Sequence, residues 1–327
     1  MTPKRILSVQ LATDIVGGER GAPLAKTIFV LLIGDHDGQP VDLYQRLQEK
    51  DAAQAARAAG FEVNVAWATS FDQYGIVRKH LAAATVDAVI VEPASVATAA
   101  LILKDLQGRA GAGLVLLNVW DAAFEAHLAA WGEQHPVATI SQPQAQIGQI
   151  QGRQLSVALP QQAHALVITG PTRSSAARER LDGLRATLRA DITLHTAEAG
   201  QWTETDGILA FNSWYAVFRS RKEEIHAIAG QSDDLAVGAH KGGIAVTNPA
   251  HASMFRTARL FGVGCVPGYG RELVDAGGMA ASVSVRPNAG MAVGMLKRFW
   301  QDGQRLPVRS SSEATPYPAA SAESPAR

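Results

Sequence analysis

The sequence is poor in cysteine and in net charge. Cys265 is the one cysteine among 327 residues, and 30 Lys and Arg residues balance 30 Asp and Glu residues. A single cysteine excludes an internal disulfide framework and a metal site built on a cysteine cluster. A balanced charge gives no basic footprint for nucleic acid or for an anionic membrane. We therefore expect neither of these partners.

Long apolar runs are missing as well, and no stretch reaches the length of a membrane span. Near the N-terminus, the run Ile6–Ala12 is short, is interrupted by Gln10 and is soon followed by Asp14. A secretory signal needs a longer unbroken apolar region and a small-residue cleavage site. The sequence therefore predicts no signal peptide, which favours a cytoplasmic location.

Signatures of common enzyme classes are also lacking. We find no Gly-x-x-x-x-Gly-Lys-Ser/Thr phosphate loop, no Gly-x-Ser-x-Gly elbow and no His-Glu-x-x-His, and the nine histidines show no metal-ligand spacing. The glycine spacing in Gly262–Gly268 does not fit a dinucleotide loop. Asp35, His36 and Asp37 offer acid–base groups without a recognisable nucleophile or metal partner. We expect no catalytic residue, no metal and no cofactor.

Apolar residues make up 47% of the chain, in short runs that alternate with segments of helical period. The predicted strands are Thr27–Ile33, Phe61–Trp67, Val86–Glu92, Gly113–Val119, Pro136–Ile140, Ala165–Thr169, Ile192–Ala197, Ile225–Ala229, Arg259–Gly264 and Ala281–Val285. The predicted helices include Asp42–Ala59, Asp72–Ala83, Ser95–Arg109, Gln144–Ala158 and Ser175–Arg189. This alternation predicts right-handed βαβ units and parallel sheets. Ten strands are too many for one comfortable open sheet, so we predict an α/β fold with two lobes.

Two short features mark the ends of predicted elements. Gly60 is expected to end the first helix in a left-handed conformation, and Pro287 stands where a final helix can begin. Residues 308–327 are rich in Ser, Ala and Pro and contain few large apolar groups. We therefore predict a disordered tail over residues 308–327.

Ligands of open α/β sheets bind beyond the carboxyl ends of the strands. In the first lobe the polar and aromatic residues at these positions are Asp37, Tyr44, Asn118 and Trp120. In the second lobe they are Arg173, Arg180, Trp202, Ser232 and Asp233. For each residue a structural role is the alternative: an ordinary polar loop, lobe packing for Trp202, and a helix cap for Asp233. We predict this set as the ligand-binding residues.

The segment Ser175-Ala-Ala-Arg-Glu-Arg180-Leu-Asp-Gly183 follows the buried strand Ala165–Thr169. An arginine in this place can give a forked grip on vicinal hydroxyls or a carboxylate. This segment resembles the ribose- and galactose-type (type I) periplasmic sugar-binding proteins. Val86-Asp-Ala-Val-Ile-Val-Glu-Pro93, Gly200-Gln-Trp-Thr203 and Asp233-x-x-Ala-x-Gly-Ala239 add to the resemblance, which spans about residues 26–305.

The resemblance implies two Rossmann-like lobes joined by a three-segment hinge, with the solute between the lobes and closure on binding. The expected division is an extension over residues 1–25, a first lobe of residues 26–141 plus 286–307, and a second lobe of residues 142–285. The three crossings are expected near Ser141, Arg286 and Pro307. By the same resemblance, Arg180 is the ligand-binding arginine, Trp202 packs on the sugar, and Tyr44 lies near the paired aromatics of the first loop.

Several positions differ from the family's pattern. Asn118 stands where an aspartate usually accepts sugar hydroxyls, and Ser232 replaces an asparagine. Gly262-Val263-Gly264 stands in place of Gly-Phe-Asp, and Val285 in place of a glutamine. Because buried hydroxyls without acceptors weaken binding, we expect a less hydroxylated or anionic solute, held by Arg180 with help from Arg173 or Arg286.

Three function classes follow. The first is a receptor that delivers a sugar or sugar-derived solute to the permease of an ABC-type importer, which by resemblance implies the periplasm. The second is a cytosolic ligand sensor of the same fold, coupled to a signalling partner; Met1–Lys26 is too short and irregular for a DNA-binding head. The third is an enzyme on this scaffold. We rank the receptor first and the enzyme last, we expect a monomer, and both locations stay open.

Overall fold

The chain divides into two compact units. The computed structural model describes residues 25–35, 37–39, 42–69, 71–83, 85–119, 121–132 and 135–322. Unit 1 runs to Gln142 and resumes over Pro287–Ser312, and unit 2 takes Pro143–Arg286 and the residues from Glu313 onward. The chain therefore passes from one unit to the other three times. The third passage follows Ser312 rather than Pro307.

Strands and helices alternate through most of the chain. In the first half they are β1 (Thr27–Ile33), α1 (Leu43–Ala59), β2 (Glu62–Ala68), α2 (Gln73–Ala83), β3 (Ala88–Val91), α3 (Val96–Gln107), β4 (Gly113–Leu117), α4 (Ala122–Trp131), β5 (Val137–Ser141) and α5 (Gln144–Ala158). They continue with β6 (His164–Thr169), α6 (Ser175–Thr187), β7 (Thr193–Glu198), α7 (Glu204–Phe218), β8 (Ala227–Gly230), α8 (Asp233–Ile244) and α9 (Pro249–Thr257). The last elements are β9 (Arg259–Gly264), α10 (Gly270–Asp275), β10 (Ala281–Val285), α11 (Ala289–Asp302), β11 (Arg309–Ser311) and β12 (Ala314–Tyr317).

Unit 1 contains a six-stranded parallel sheet in the order β11-β5-β4-β3-β1-β2. Strands β3 and β4 are buried along their whole length, because helices cover both faces. Alternate residues of β1 enter two apolar clusters, Phe29 on one face and Val30 on the other. The predicted left-handed stop of α1 is confirmed, since Gly60 has φ 72°.

Unit 2 contains a six-stranded sheet in the order β12-β10-β9-β8-β6-β7, and only β12 runs antiparallel to its neighbour. Helices α5 and α6 pack so closely that a Cβ on Gly148 would lie 1.9 Å from the Arg180 carbonyl oxygen. On the other helix, a Cβ on Gly183 would lie 2.1 Å from the Ala145 carbonyl oxygen. The two glycines thereby fix the position of the helix that carries Arg180.

The predicted disorder of residues 308–327 is wrong for most of the segment that the structure describes. Strand β11 pairs with β5 in unit 1, β12 pairs with β10 in unit 2, and a 3₁₀ helix follows at Ala319–Ala322. Composition misses these strands because backbone hydrogen bonds to existing sheet edges order them, with little need for large side chains. Residues 323–327 of the tail, like residues 1–24 of the predicted extension, lie outside the described residues.

None of the helices in the described part of the chain has the length and apolar character needed to cross a membrane.

Candidate functional site

A hydrogen-bonded polar network lies at the carboxyl ends of the strands of unit 1. Glu92, directly after β3, accepts bonds from Asn118 Nδ2 and Gln45 Nε2, both at 3.0 Å. Asn118 follows β4, and Gln45 lies in the first turn of α1 beside the end of β1. The parallel topology therefore brings side chains from three separate segments onto one carboxylate.

Asn118 occupies the centre of this network. Its backbone is left-handed, with φ 57°, a conformation that asparagine tolerates better than most residues. Its Oδ1 accepts bonds from Asn288 Nδ2 at 2.8 Å and from the Gln142 backbone N–H at 3.4 Å. The strained turn is thus held from several sides.

Tyr44 extends the network. Its hydroxyl accepts a bond from Gln48 Nε2 at 3.3 Å and another from Gln142 Nε2. Gln48 Oε1 accepts bonds from the backbone N–H groups of Asn288 and Ala289 at 2.7 and 2.9 Å, where α11 begins. The start of α11 is therefore fixed by a side chain of α1.

Glu92 is a titratable group at this edge whose surroundings shift its pKa. Burial raises the pKa of Glu92, because removal from water disfavours the carboxylate. The two amide donors act in the opposite direction, and the Asp42 charge adds to the increase. The carboxylate is thus a partly desolvated acceptor, which makes its hydrogen bonds stronger than in water.

Of the two other predicted residues of unit 1, Asp37 and Trp120, only Asp37 is among the described residues. Asp37 is exposed on a loop that Asp35 Oδ1 holds by accepting bonds from the N–H groups of Asp37 and Gln39, each at 2.9 Å. Asp42 caps α1 by accepting the Gln45 N–H at 2.8 Å. Trp120 lies outside the described residues.

In unit 2, Arg180 lies half-buried at the carboxyl-end edge of the sheet. Its Nε donates to Gln144 Oε1 at 2.7 Å, and its Nη1 donates to the Gln231 carbonyl oxygen. The guanidinium carbon stands 5.3 Å from the centre of the Trp202 ring, a cation–π arrangement. Neutral acceptors and an aromatic face thus fix the direction of the guanidinium.

Trp202 is held by the loop that follows β6. A Cβ placed on Gly170 would lie 2.3 Å from Cη2 of the indole, so the ring rests directly on the glycine backbone. The Gly170 N–H donates to Gln231 Oε1 at 2.9 Å, and Gln231 Nε2 donates to the Ala177 carbonyl oxygen at 2.9 Å. Buried Gln231 therefore ties together the loop, α6 and the end of β8.

The remaining predicted residues of unit 2 have different environments. Arg173 is exposed, on a loop whose Thr172 N–H donates to Glu198 Oε1 at 2.7 Å. Ser232 caps α8, because its Oγ accepts the Leu235 N–H at 3.1 Å. The structure thus assigns to Ser232 the capping role that the sequence offered as an alternative for Asp233.

Asp233 is buried, with 2% of its surface exposed. Its Oδ1 accepts a bond from Ser282 Oγ and its Oδ2 accepts the Cys265 N–H, both at 2.7 Å. A Cβ on Gly262 or on Gly270 would lie 2.0 Å from one or the other oxygen. Burial raises the pKa of Asp233, and the two donors oppose the increase. This carboxylate braces the strand ends rather than pointing outward.

Sequence reasoning did not single out the amide residues that position the site: Gln45, Gln48, Gln142, Gln144, Gln231 and Asn288. All six are buried. A signal existed for some of them, because Gln142 directly follows β5 and Gln231 directly follows β8. A buried glutamine immediately after an apolar strand marks a strand end that needs side-chain partners.

Comparisons with known structures agree with this architecture. The chain is 17% identical to an ABC transporter periplasmic solute-binding protein from Actinobacillus succinogenes 130z with bound D-allose, with a TM-score of 0.73 over 91% of this chain and 99% of that chain. An ABC transporter solute-binding protein from Mycobacterium smegmatis with bound glycerol is 17% identical, with a TM-score of 0.72 over 91% and 96% of the two chains.

A third similar structure is the fructose-binding periplasmic domain of the hybrid two-component system BT1754. It is 19% identical, with a TM-score of 0.70 over 89% of this chain and 90% of that chain. At these identities the likeness shows the fold, which is the predicted α/β architecture of two parallel-sheet lobes of periplasmic binding protein type I. A comparison with curated proteins finds no match.

The family itself is shown by the sequence. A family model described as a periplasmic binding protein domain matches residues 39–303, most of both units. This is a family of binding proteins rather than of enzymes, which confirms the ranking that placed the enzyme last. The chain belongs to the periplasmic binding protein family.

Proposed function

We propose that this protein binds a small polar solute of the sugar or polyol class and delivers it to an ABC-type importer. Groups at the carboxyl-end edge of the unit 2 sheet make contacts to the solute. The observation that carries this proposal is Arg180, which Gln144, Gln231 and the Trp202 ring hold in a fixed direction at the edge where open α/β sheets bind ligands. Family membership and the sugar and polyol ligands of similar structures support it.

The chemistry of the two edges supports a polar ligand. In unit 2, Arg180 supplies a positive charge and N–H donors of a type that suits hydroxyls or a carboxylate, and Trp202 offers a flat apolar face. In unit 1, Glu92 and Asn118 supply an ordered acceptor and amide network. A solute with several hydroxyls, or with hydroxyls and one carboxylate, matches the donors of Arg180 on the edge of unit 2.

The structure changes the expectation for the assisting arginines. Arg286 Nη2 lies 3.7 Å from Glu313 Oε2, so that guanidinium already has a carboxylate neighbour. Arg173 is exposed on the loop after β6, on the same edge as Arg180. If the solute carries a negative charge, we therefore propose Arg173, rather than Arg286, as the second positive group.

A thermal-shift screen tests the proposal. Purified protein is heated with pentoses, hexoses, sugar acids, sugar phosphates and polyols. A ligand at one hundred times its dissociation constant should stabilise the fold by about 2.7 kcal/mol. We expect a hit in one class, lost in Arg180→Ala and kept in Arg185→Ala, which removes an exposed arginine from the same helix.

A second variant separates binding from general damage. Gly170→Ala adds one methyl group under the indole and should displace Trp202 while leaving the cap of α6 in place. We expect weaker binding of the hit, measured by calorimetry. A hit that both Arg180→Ala and Gly170→Ala bind as tightly as the unaltered protein would contradict this site.

A ligand sensor is the second candidate function. The observation that favours it is the similarity to the fructose-binding domain of a hybrid two-component system. A sensor and a receptor share the same ligand site and differ in the partner. The partner can be identified by purifying the protein from its own cells, with and without the hit ligand, and analysing the proteins that co-purify. A transporter permease supports the receptor, and a kinase or regulator supports the sensor.

A further inference from the structure

Three histidines lie in a row on one face of the unit 2 sheet, at the end opposite to Arg180. His164 begins β6, His195 lies in β7, and His226 immediately precedes β8. The register pairs His164 with Thr193, and therefore places His164 and His195, two residues further along, on the same face. The His226 N–H bonds to the His164 carbonyl oxygen at 2.9 Å, which continues the row onto β8.

Glu223 joins this row from the loop that follows α7. One ligand atom from each of His164, His195 and Glu223 lies within 4.8 Å of the other two. His164 Nδ1 and His195 Nε2 are hydrogen-bonded at 3.1 Å, so an ion would displace the proton that they share, and His195 Nε2 and Glu223 Oε2 are 3.7 Å apart. The histidine spacing in the sequence does not predict this cluster, because its residues come from three separate segments.

The separations fit a divalent transition ion. Zinc binds nitrogen and carboxylate oxygen at about 2.0–2.2 Å in tetrahedral geometry. Two ligands at that distance from one ion are separated by about 3.4 Å, which follows from the tetrahedral angle and those bond lengths. The two observed separations lie on either side of this value. The remaining pair, His164 and Glu223, lies within 4.8 Å, so side-chain movement that shortens this separation would bring all three atoms onto one ion.

The surroundings also suit coordination. Trp214 and Phe218 of α7 contact His195 edge-on, with ring centres at 6.0 and 5.9 Å, and form an apolar wall. The side chain of His195 is 11% exposed and that of Glu223 is 38% exposed, so the cluster is shielded on one side and open on the other. Glu223 Oε2 is buried and has no hydrogen-bond partner among the described residues.

Two neighbours limit what the cluster can do. His226 Nδ1 accepts the His164 N–H at 3.2 Å, so that ring atom is occupied and His226 supports the site rather than ligating. Arg221 Nη1 lies 3.6 Å from Glu223 Oε2 and competes with an ion for the carboxylate. Removing the Arg221 charge should therefore strengthen metal binding, a consequence that a merely structural histidine cluster would not have.

We propose that His164, His195 and Glu223 form a divalent transition-metal site, with zinc as its ion and the fourth position open to solvent. Bound metal would tie β6, β7 and the loop before β8 together at the amino-terminal end of the unit 2 sheet. This site lies away from Arg180, and the proposal does not depend on the solute that the protein binds.

The experiment uses the full chain without an affinity tag, after treatment with a chelator and dialysis. Calorimetric titration with ZnCl₂ should show one site per chain, and MgCl₂ should show none, because magnesium prefers a shell of oxygen ligands. Co²⁺ should give the visible absorption of a four-coordinate site. No zinc binding, or equal responses to zinc and magnesium, would overturn the proposal.

The variants are chosen so that folding stays measurable. Glu223→Gln changes a partly exposed side chain and should weaken zinc binding at least tenfold, as should His164→Gln. His127→Gln removes an exposed histidine from α4 and should leave binding unchanged. Arg221→Ala should tighten binding. Circular dichroism confirms the fold of each variant, and zinc binding that survives both Glu223→Gln and His164→Gln would refute the assignment.

Discussion

The two units have the same strand order but different chemistry at the carboxyl ends of their strands. Read from the β2 edge and the β7 edge, the sheets run β2-β1-β3-β4-β5-β11 and β7-β6-β8-β9-β10-β12. In unit 1 a carboxylate and several amides bond to one another around Glu92 and Asn118. In unit 2 a guanidinium is fixed against an indole, and the carboxylate of Asp233 is buried below the edge.

This difference shows that the topology determines where polar groups gather, whereas the side chains determine their chemistry. Both sheets need polar groups where their strands end, because backbone and side-chain donors there must find partners. Unit 1 meets that need with neutral amides and leaves acceptors at the edge. In unit 2 the buried carboxylate of Asp233 accepts these hydrogen bonds. The side chain at the edge of the sheet is then the cation Arg180.

Asp233→Ala should have the largest effect on this comparison. The change leaves the Ser282 hydroxyl and the Cys265 N–H without an acceptor in a buried place, so we expect unit 2 to lose about 3 kcal/mol of stability. Urea unfolding measures the loss, and native-state hydrogen exchange locates it in unit 2. Ser282→Ala should cost about 1 kcal/mol, and the double variant should cost less than the sum. Additive effects would contradict the direct bond.

Glu92→Ala should come next in size and act on unit 1. It removes the acceptor shared by Asn118 Nδ2 and Gln45 Nε2, at a cost of about 2 kcal/mol, since both amides are only partly reachable by water. Hydrogen exchange should rise at the ends of β3 and β4 and stay unchanged in unit 2. The exposed Glu62 offers a matched control, because Glu62→Ala removes a carboxylate outside the network. Equal losses for Glu92→Ala and Glu62→Ala would remove the contrast between the two edges.

Mild acid should lower the stability of unit 2 more than that of unit 1. The effect should be smaller than that of Asp233→Ala or Glu92→Ala. Burial lowers the pKa of His240 on α8, and a lowered histidine pKa gives stability that is present above about pH 6.5 and lost as the pH falls below it. Buried carboxyls act in the opposite direction in both units: burial raises the pKa of Glu92 and Asp51 in unit 1 and of Asp233 in unit 2, so their contribution decreases as the pH rises. The contrast between the units therefore rests on His240.

Hydrogen exchange at pH 7 and pH 5.5, corrected for the intrinsic rate and run with a chelator, tests this contrast. Peptides of α8 should lose protection at pH 5.5 relative to peptides of β3 and β4. His240→Gln should reduce the difference. Equal losses of protection in α8 and in β3 and β4 would show that His240 does not govern the pH response.

The smallest effect is expected for Arg286→Ala. The Arg286 side chain is 77% exposed and that of Glu313 is 61% exposed, at a separation of 3.7 Å. Solvent and salt screen such a pair, so its removal should change stability by less than about 0.5 kcal/mol. Unfolding in low and high salt measures it. A loss above 1 kcal/mol would mean that this crossing segment contributes more than its exposure indicates.

Much of the fold follows from the sequence because buried parallel strands give continuous apolar runs. The structure places β1 at Thr27–Ile33 and α5 at Gln144–Ala158, as predicted. Predicted strand ends elsewhere differ by a residue or two, as at β8, where the prediction began at Ile225 rather than Ala227. The short strands β11 and β12 are missed, since partner strands rather than their own residues define them.

The site is less predictable than the fold. Sequence position places Arg180 and Trp202 after the right strands, yet their contact depends on Gly170 and Gln231, which the periodicity does not single out. The sequence pattern also cannot distinguish an exposed carboxylate from a buried one. Asp233 is hydrogen-bonded to Ser282 and Cys265, which lie far along the chain. Such contacts are settled only when the helices have packed.

The last strands carry a consequence for the order of synthesis. β5 and β10 each receive their outer neighbour from residues 309–317, which the ribosome delivers after the other strands of both sheets. Until those residues emerge, both nascent sheets have an open edge with unpaired backbone groups, the kind of surface that recruits other chains. A single break before Arg309 would therefore leave two sheets unfinished at once, and would produce a polypeptide that contains nearly all of its core yet is prone to aggregate.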